Sequence, residues 1–444
     1  MSLRPPLSRP LPELKPAPTP PPFRLLAAHF LLVMASLTLG SIGVVVIAPR
    51  LAVGDFLSPH VLATVHLFTL GVLLAAISGV MHQFYPMALG WALRSKRVAA
   101  AGVTLLILGV AAVVTGFWFW VPAILAVGWV LIFGAIGCVA WNLLPARRRV
   151  PGARLVGGFV SAGHIALGFA LLLAAGRIGE FLHWWTIDRL GTIAAHYHLA
   201  ALGFGTLTAV GVGSRMIPMF LVSHGAPTKP VPWIGVTIGL GLACFMVGAP
   251  FHLQALQWLG ASFMFAGVLL HLTVARWYFA RRLKRTADPA MDFVRTAFIN
   301  LALAALVGVG LLLTPGFHAG LWVIYALLGI LGWLMMLIMG ILQKLVPHLG
   351  RMHLFGRAGK PIPDVSQLIL APVATLALVA AESGLILLAL GAALTNPPVA
   401  RLGSMLWLAG VLMVIGQFGR IVWMAKMPTG RLIGRRTARE SRDS

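Results

Sequence analysis

Two histidines separated by a single residue, His196 and His198, lie in an apolar run from Thr192 to Gly225 that is long enough to cross a bilayer. An imidazole in hydrocarbon is costly unless a partner takes its lone pair or its proton, so intramembrane histidines are functional candidates by default. Successive residues on a helix turn by about 100°, which points these two side chains about 200° apart. They cannot share one metal in a regular helix, but they can reach two centres on opposite flanks. Within or at the ends of other apolar runs stand His29, His60, His66, His82 and His164. Two imidazoles from facing helices are the natural axial pair of a six-coordinate haem iron, and the macrocycle supplies apolar surface to a bundle. The expectation is that His66 pairs with His196 or His198 across a haem, leaving the other to face a second centre. A second metal, copper or non-haem iron, would draw on His29, His164 and the spare member of the pair. His60 is a further ligand candidate, although it stands six residues from His66, about 240° round the helix, toward the rim. Against all of these stands the plain alternative that a histidine only hydrogen-bonds a neighbouring helix.

The remaining ionisable groups suggest proton or lipid chemistry. Glu382 is the one carboxylate well inside an apolar run. It is a candidate for proton relay or for structural pairing, with His82 and Tyr85 as further members of a proton path. Arg215 and Lys344 fall near the ends of apolar runs, where snorkelling to headgroups explains them better than binding of haem propionates. Cys138 and Cys244 lie in separate apolar runs and form no CxxC or CxxCH pattern, so neither a disulfide framework nor covalent haem is indicated.

The elements that carry these residues repeat. HLFTLGVLLAAISGVMHQFYPM (66–87) and LLGILGWLMMLIMGILQKLVPH (327–348) share the template of the central stretch. Aligned on Pro86, Pro218 and Pro347, the glycines coincide as Gly71, Gly203, Gly332 and as Gly79, Gly211, Gly340; His66 falls on His198, and Tyr325 on His196. Each proline is expected to end or kink its helix. With 59% hydrophobic and 10% charged residues over 444 positions, this is no soluble globular chain. Apolar runs predict twelve membrane helices, near 25–48, 58–89, 98–118, 121–144, 155–176, 190–222, 232–250, 254–280, 293–314, 319–346, 366–394 and 401–424. They group in three pseudo-repeats of four (25–144, 155–285, 293–424), between a proline-rich leader (1–24) and a basic tail (427–444). His29, His164 and Asn300 occupy comparable places in the first helix of each repeat. The net charge of +24 sits on alternate loops, the positive-inside pattern, which predicts both termini in the cytoplasm of an inner, bacterial membrane. Anionic lipid, not nucleic acid, is the partner this distribution implies.

The HxH, the outer-half histidines and the threefold repeat of twelve helices together resemble subunit I of the haem–copper oxidases and its divergent relatives. HYHLAALGFGTLTAVGVGSRMIPMFLVSHG and VIYALLGILGW are similar to segments of cytochrome oxidase subunit I-like proteins, and RMIPMF is similar to RVIPAF of the NnrS family, which is associated with haem, copper and nitric oxide stress. The resemblance implies an all-α twelve-helix bundle, haem, partner subunits, and a cytochrome or quinol as electron donor. The pattern departs from the oxidases in placing HxH on the sixth helix, leaving the tenth without an internal histidine, and lacking the adjacent histidine pair on the seventh that holds copper. The resemblance thus implies haem-based electron transfer, or handling of oxygen or nitric oxide, without the usual copper-ligand set. The alternatives are an oxidase- or nitric oxide reductase-like oxidoreductase with a second metal, and a transporter that uses membrane histidines.

Overall fold

Long apolar stretches without water to satisfy their backbone must close every hydrogen bond internally, and they do so as helices. The computed structural model describes residues 21–143, 154–225, 227–283, 288–314, 316, 318–356 and 362–427. Among these, twelve helices are long and apolar enough to cross a membrane: α1 (Phe23–Ala52), α2 (Pro59–Met87), α3 (Lys96–Trp118), α4 (Pro122–Leu143), α5 (Arg154–Phe181), α6 (Arg189–Leu221), α7 (Val231–Gly248), α8 (Gln254–Ala280), α9 (Pro289–Leu313), α10 (Ala319–Phe355), α11 (Ala371–Ala393) and α12 (Pro397–Lys426). The first twenty residues of the expected leader and positions 428–444 of the basic tail lie outside the described residues.

The bundle is built in pairs. Helices α3 and α4, α7 and α8, and α11 and α12 form close hairpins, while α12 returns to pack along α1 and closes the ring. The central helices α2, α6 and α10 are, with α5, the most buried. Around them the outward faces carry exposed Leu39, Val127, Phe133, Leu172, Leu240, Leu306, Leu376 and Leu412, the surface a lipid-embedded bundle presents.

The repeat extends to local backbone geometry. Each central helix contains one eight-residue π-helical segment, Leu67–Leu74, Leu199–Thr206 and Leu328–Met335. All three begin one residue after the column His66, His198 and Leu327. Single-turn widenings of this kind concentrate at functional sites. The first glycine column lies within them, and a Cβ there would strike the first helix of the same repeat: Ser36 behind Gly71, Ala166 behind Gly203, Asn300 behind Gly332. The second column repeats this against His29, Phe159 and Phe293. These contacts fix the true register of the first helices. They align His29 with Phe159 and Phe293, and Asn300 with Ser36 and Ala166; the expected column of His29, His164 and Asn300 is not a structural one. Sequence spacing missed this because the stretch between first and second helix differs in length among the repeats.

Pro86, Pro218 and Pro347 lie inside their helices rather than at the ends, which run on to Leu89, Leu221 and Gly350. Each proline removes one backbone donor, but the helix beyond it continues. Lys344 has a protein partner: its Nζ lies 2.5 Å from Asp288 Oδ2 at the start of α9. Side-chain bonds tie the repeats together, with Trp333 Nε1 donating to Thr206 Oγ1 at 2.9 Å and Trp407 Nε1 donating to Ser41 Oγ at 3.1 Å.

Candidate functional site

His66 on α2 and His196 on α6 face each other with ring centres 6.4 Å apart and planes tilted by 36°. His66 Nδ1 donates to the Leu62 carbonyl at 2.7 Å, and His196 Nδ1 donates across to Ala170 on α5 at 2.9 Å. A carbonyl oxygen only accepts, so both rings carry their proton on Nδ1 and keep a lone pair on Nε2. That is the tautomer of a ligating imidazole, held by the outer hydrogen bond that ligating histidines usually make. Phe117 of α3 stacks on His66 at 4.9 Å and fixes its plane. Both rings line a cavity of about 190 Å³ whose other walls include Val44, Leu62, Phe68, Leu327 and Ile330.

His198 points the other way. Its Nδ1 donates to Ala194 at 2.7 Å, which leaves Nε2 to accept from the Tyr325 hydroxyl at 2.9 Å. This pair lines a larger cavity of about 310 Å³ with Phe245, Leu301, Trp322 and Trp333 among its walls. Tyr197 borders both cavities, its ring 5.4 Å from that of Tyr325. Its hydroxyl rests against Gly329, where a Cβ would occupy the same space. The HxH sequence therefore serves two cavities, with the intervening tyrosine as the wall between them.

The other candidates are dispersed. His60 packs edge-on to Trp118 at 4.7 Å and His164 edge-on to Phe204 at 5.7 Å. His29 lies beside His82, with ring centres 5.4 Å apart. His29, His164 and His198 are thus not gathered into the expected second metal site. Among the described residues there is no group of three or more His, Cys, Asp or Glu placed to hold a metal. Helical spacing placed each of these histidines on a helix but said nothing of which neighbour it faces. Nor is the expected proton path joined up: Asn300 Nδ2 donates to Glu382 Oε2 at 3.0 Å and to the Gly332 carbonyl at 3.3 Å, so Glu382 belongs to a link among α9, α10 and α11. The Tyr85 hydroxyl and His82 Nε2 are buried with no hydrogen-bond partner among the described residues.

Two residues of the site, and one buried histidine near it in contact with Trp333, carried no role in the sequence reading. Tyr325 was marked by its repeat register with His196, and Tyr197 only by its place inside HxH. His271 on α8 is buried between Phe298 and Trp333, and neither ring nitrogen has a partner among the described residues. No sequence periodicity distinguishes it.

A metal-bound imidazole nitrogen sits about 2 Å from the ion, so two opposed rings sharing one ion have centres roughly 6 Å apart. The His66–His196 separation, the two free Nε2 lone pairs and the apolar walls fit the axial pair of a haem iron. The 190 Å³ cavity is smaller than the roughly 300–1,000 Å³ of ordinary ligand pockets. Seating a macrocycle there therefore requires displacement of lining side chains such as Leu62, Phe68 and Leu327.

No protein-family model and no curated protein matches the chain. Its fold does match a haem–copper terminal oxidase dimer solved by cryo-electron microscopy, over 92% of this chain and 84% of that one, with TM-score 0.62 and 12% identity. The chain is an all-α integral membrane protein with a haem–copper oxidase subunit I-like bundle.

Proposed function

We propose that this protein binds haem between His66 and His196 and uses it to move electrons within the membrane. The observation that carries the reading is the opposed pair of Nδ1-protonated imidazoles at 6.4 Å, each oriented by a backbone carbonyl. The terminal oxidase of like fold is a haem–copper protein, and the shared fold supports the haem half of that pair here. His66 and His196 would hold the iron through their Nε2 atoms, and a haem held by two imidazoles would supply one-electron transfer. The chain's own residues hold the ring planes, exclude water and supply apolar walls. An electron donor of the cytochrome or quinol kind and partner subunits belong to this reading, as does an orientation with both termini in the cytoplasm of a bacterial inner membrane. The test is the absorption spectrum of detergent-purified protein from haem-replete cells. A Soret band and low-spin reduced bands that disappear in His66→Ala are expected; a colourless wild-type preparation overturns the reading.

A second reading, an oxidoreductase acting on oxygen or nitric oxide, is favoured by the 310 Å³ cavity, where one imidazole meets a tyrosine hydroxyl able to donate a proton. It requires a second centre at His198. Two haems per chain, or haem plus a further metal, together with gas consumption in the presence of a reductant would support it. One haem and no turnover would leave the first reading alone.

A further inference from the structure

The first repeat contains a second facing imidazole pair at a different level of the bundle. His29 of α1 and His82 of α2 are 3% and 1% exposed, with ring centres 5.4 Å apart and planes tilted by 41°. His29 Nδ1 donates to Leu25 at 2.9 Å and His82 Nδ1 to Ser78 at 2.7 Å, so both Nε2 atoms keep their lone pairs. His82 Nε2 is buried with no hydrogen-bond partner among the described residues. Leaving an imidazole nitrogen unsatisfied in an apolar interior is costly.

The repeats themselves show that packing does not demand histidine here. The residue pressed against the second glycine column is His29 at Gly79, but Phe159 at Gly211 and Phe293 at Gly340. The residue in the register of His82 is Ser214 in the second repeat and Gln343 in the third. Ser214 Oγ donates back to Gly211 at 2.7 Å and Gln343 Nε2 to Met339 at 3.2 Å, as His82 Nδ1 does to Ser78. A phenylalanine and a back-bonding polar side chain fill both structural roles twice over. Only the first repeat puts a lone pair on each side of the contact.

We propose that His29 and His82 bind a single monovalent copper ion. Two neutral nitrogen donors without a carboxylate or thiolate make an uncharged, low-coordinate site. The free-energy cost of burying an ion rises with the square of its charge, so it is about four times larger for a divalent ion than for a monovalent one of like size. Hard cations take oxygen ligands, whereas imidazole suits zinc, copper, iron and nickel, of which copper is the one with a common monovalent state. The rings stand slightly closer than the roughly 6 Å of a collinear arrangement, which a bent coordination or a small rotation of either ring accommodates. The site shares no residue with the His66–His196 pair and does not depend on haem.

The test is copper retention by the full-length, detergent-purified protein, with and without bound haem. The protein is incubated anaerobically with chelator-buffered cuprous ion, and metal is counted after gel filtration. Wild type should retain one copper per chain in both states, with X-ray absorption showing nitrogen neighbours at about 2 Å. His29→Phe and His82→Gln, each installing the side chain that the chain already uses in another repeat, should each lose that copper while eluting as wild type. Retention of copper by both variants, loss of all copper from wild type to the chelator, or preference for zinc over cuprous ion would overturn the proposal.

Discussion

The two cavities on either side of Tyr197 start from the same short sequence and end in different chemistry. On one side His196 meets an imidazole, His66, across an apolar gap; on the other His198 meets a phenol, Tyr325, in direct hydrogen bond. The imidazoles of the pair are alike in tautomer, each giving Nδ1–H to a carbonyl. What differs is the partner helix: α2 supplies a base, α10 a proton donor. Two facing imidazoles that each keep a free lone pair can take a cation between them, whereas a lone pair meeting a hydroxyl is already satisfied. The residue brought up by the neighbouring repeat, not the HxH itself, distinguishes the two sides, and under the proposed function it is what makes only the His66 side a haem site.

The sharpest way to break this comparison is to remove the two histidines separately. His196→Ala should abolish haem binding, as is expected of His66→Ala, while His198→Ala should keep the low-spin spectrum; equal loss in both would show that the cavities are not independent. A smaller effect is expected from Gly329→Val, which pushes the Tyr197 hydroxyl from its seat and deforms the wall between the cavities. Overpacking of this kind costs about 1–3 kcal/mol and should lower the unfolding temperature in detergent. Tyr325→Phe leaves His198 Nε2 unpartnered at a cost of about 1–2 kcal/mol, again read as thermal stability, with the His66–His196 spectrum unmoved. The smallest change should come from Thr206→Val, which removes the acceptor of Trp333 between α6 and α10 and costs about 1 kcal/mol. A larger loss there than at Gly329 would move the weight of the structure from the wall to the tie between helices.

How much was legible beforehand can be seen in particular residues. The twelve helices and the membrane setting followed from hydropathy, since lipid leaves an apolar backbone no alternative to the helix. The divergence of His196 and His198 to opposite flanks followed from helical rotation alone. The pairing of His66 with His196 rather than His198 did not, because the two stand only about half a turn apart on one helix and either could be turned toward α2. Choosing between them needs the rotation of α6 against α2. The column of His29, His164 and Asn300 was misread since the first helices are offset from the second by unequal lengths, and only the glycine contacts reveal the register. The three π segments were invisible to sequence periodicity, although they recur at the repeat spacing.

The sequence by itself determined what each helix must be: its length, its apolar character, its place in a threefold series and the position of each imidazole along it. Those are properties of one chain segment in one solvent. The tertiary structure decided who faces whom: imidazole to imidazole at His66 and His196, imidazole to phenol at His198 and Tyr325, and a buried histidine pair at His29 and His82 where the other repeats place phenylalanine. Such pairings depend on how helices are rotated and staggered against one another, and that is set by close contacts such as those at the two glycine columns.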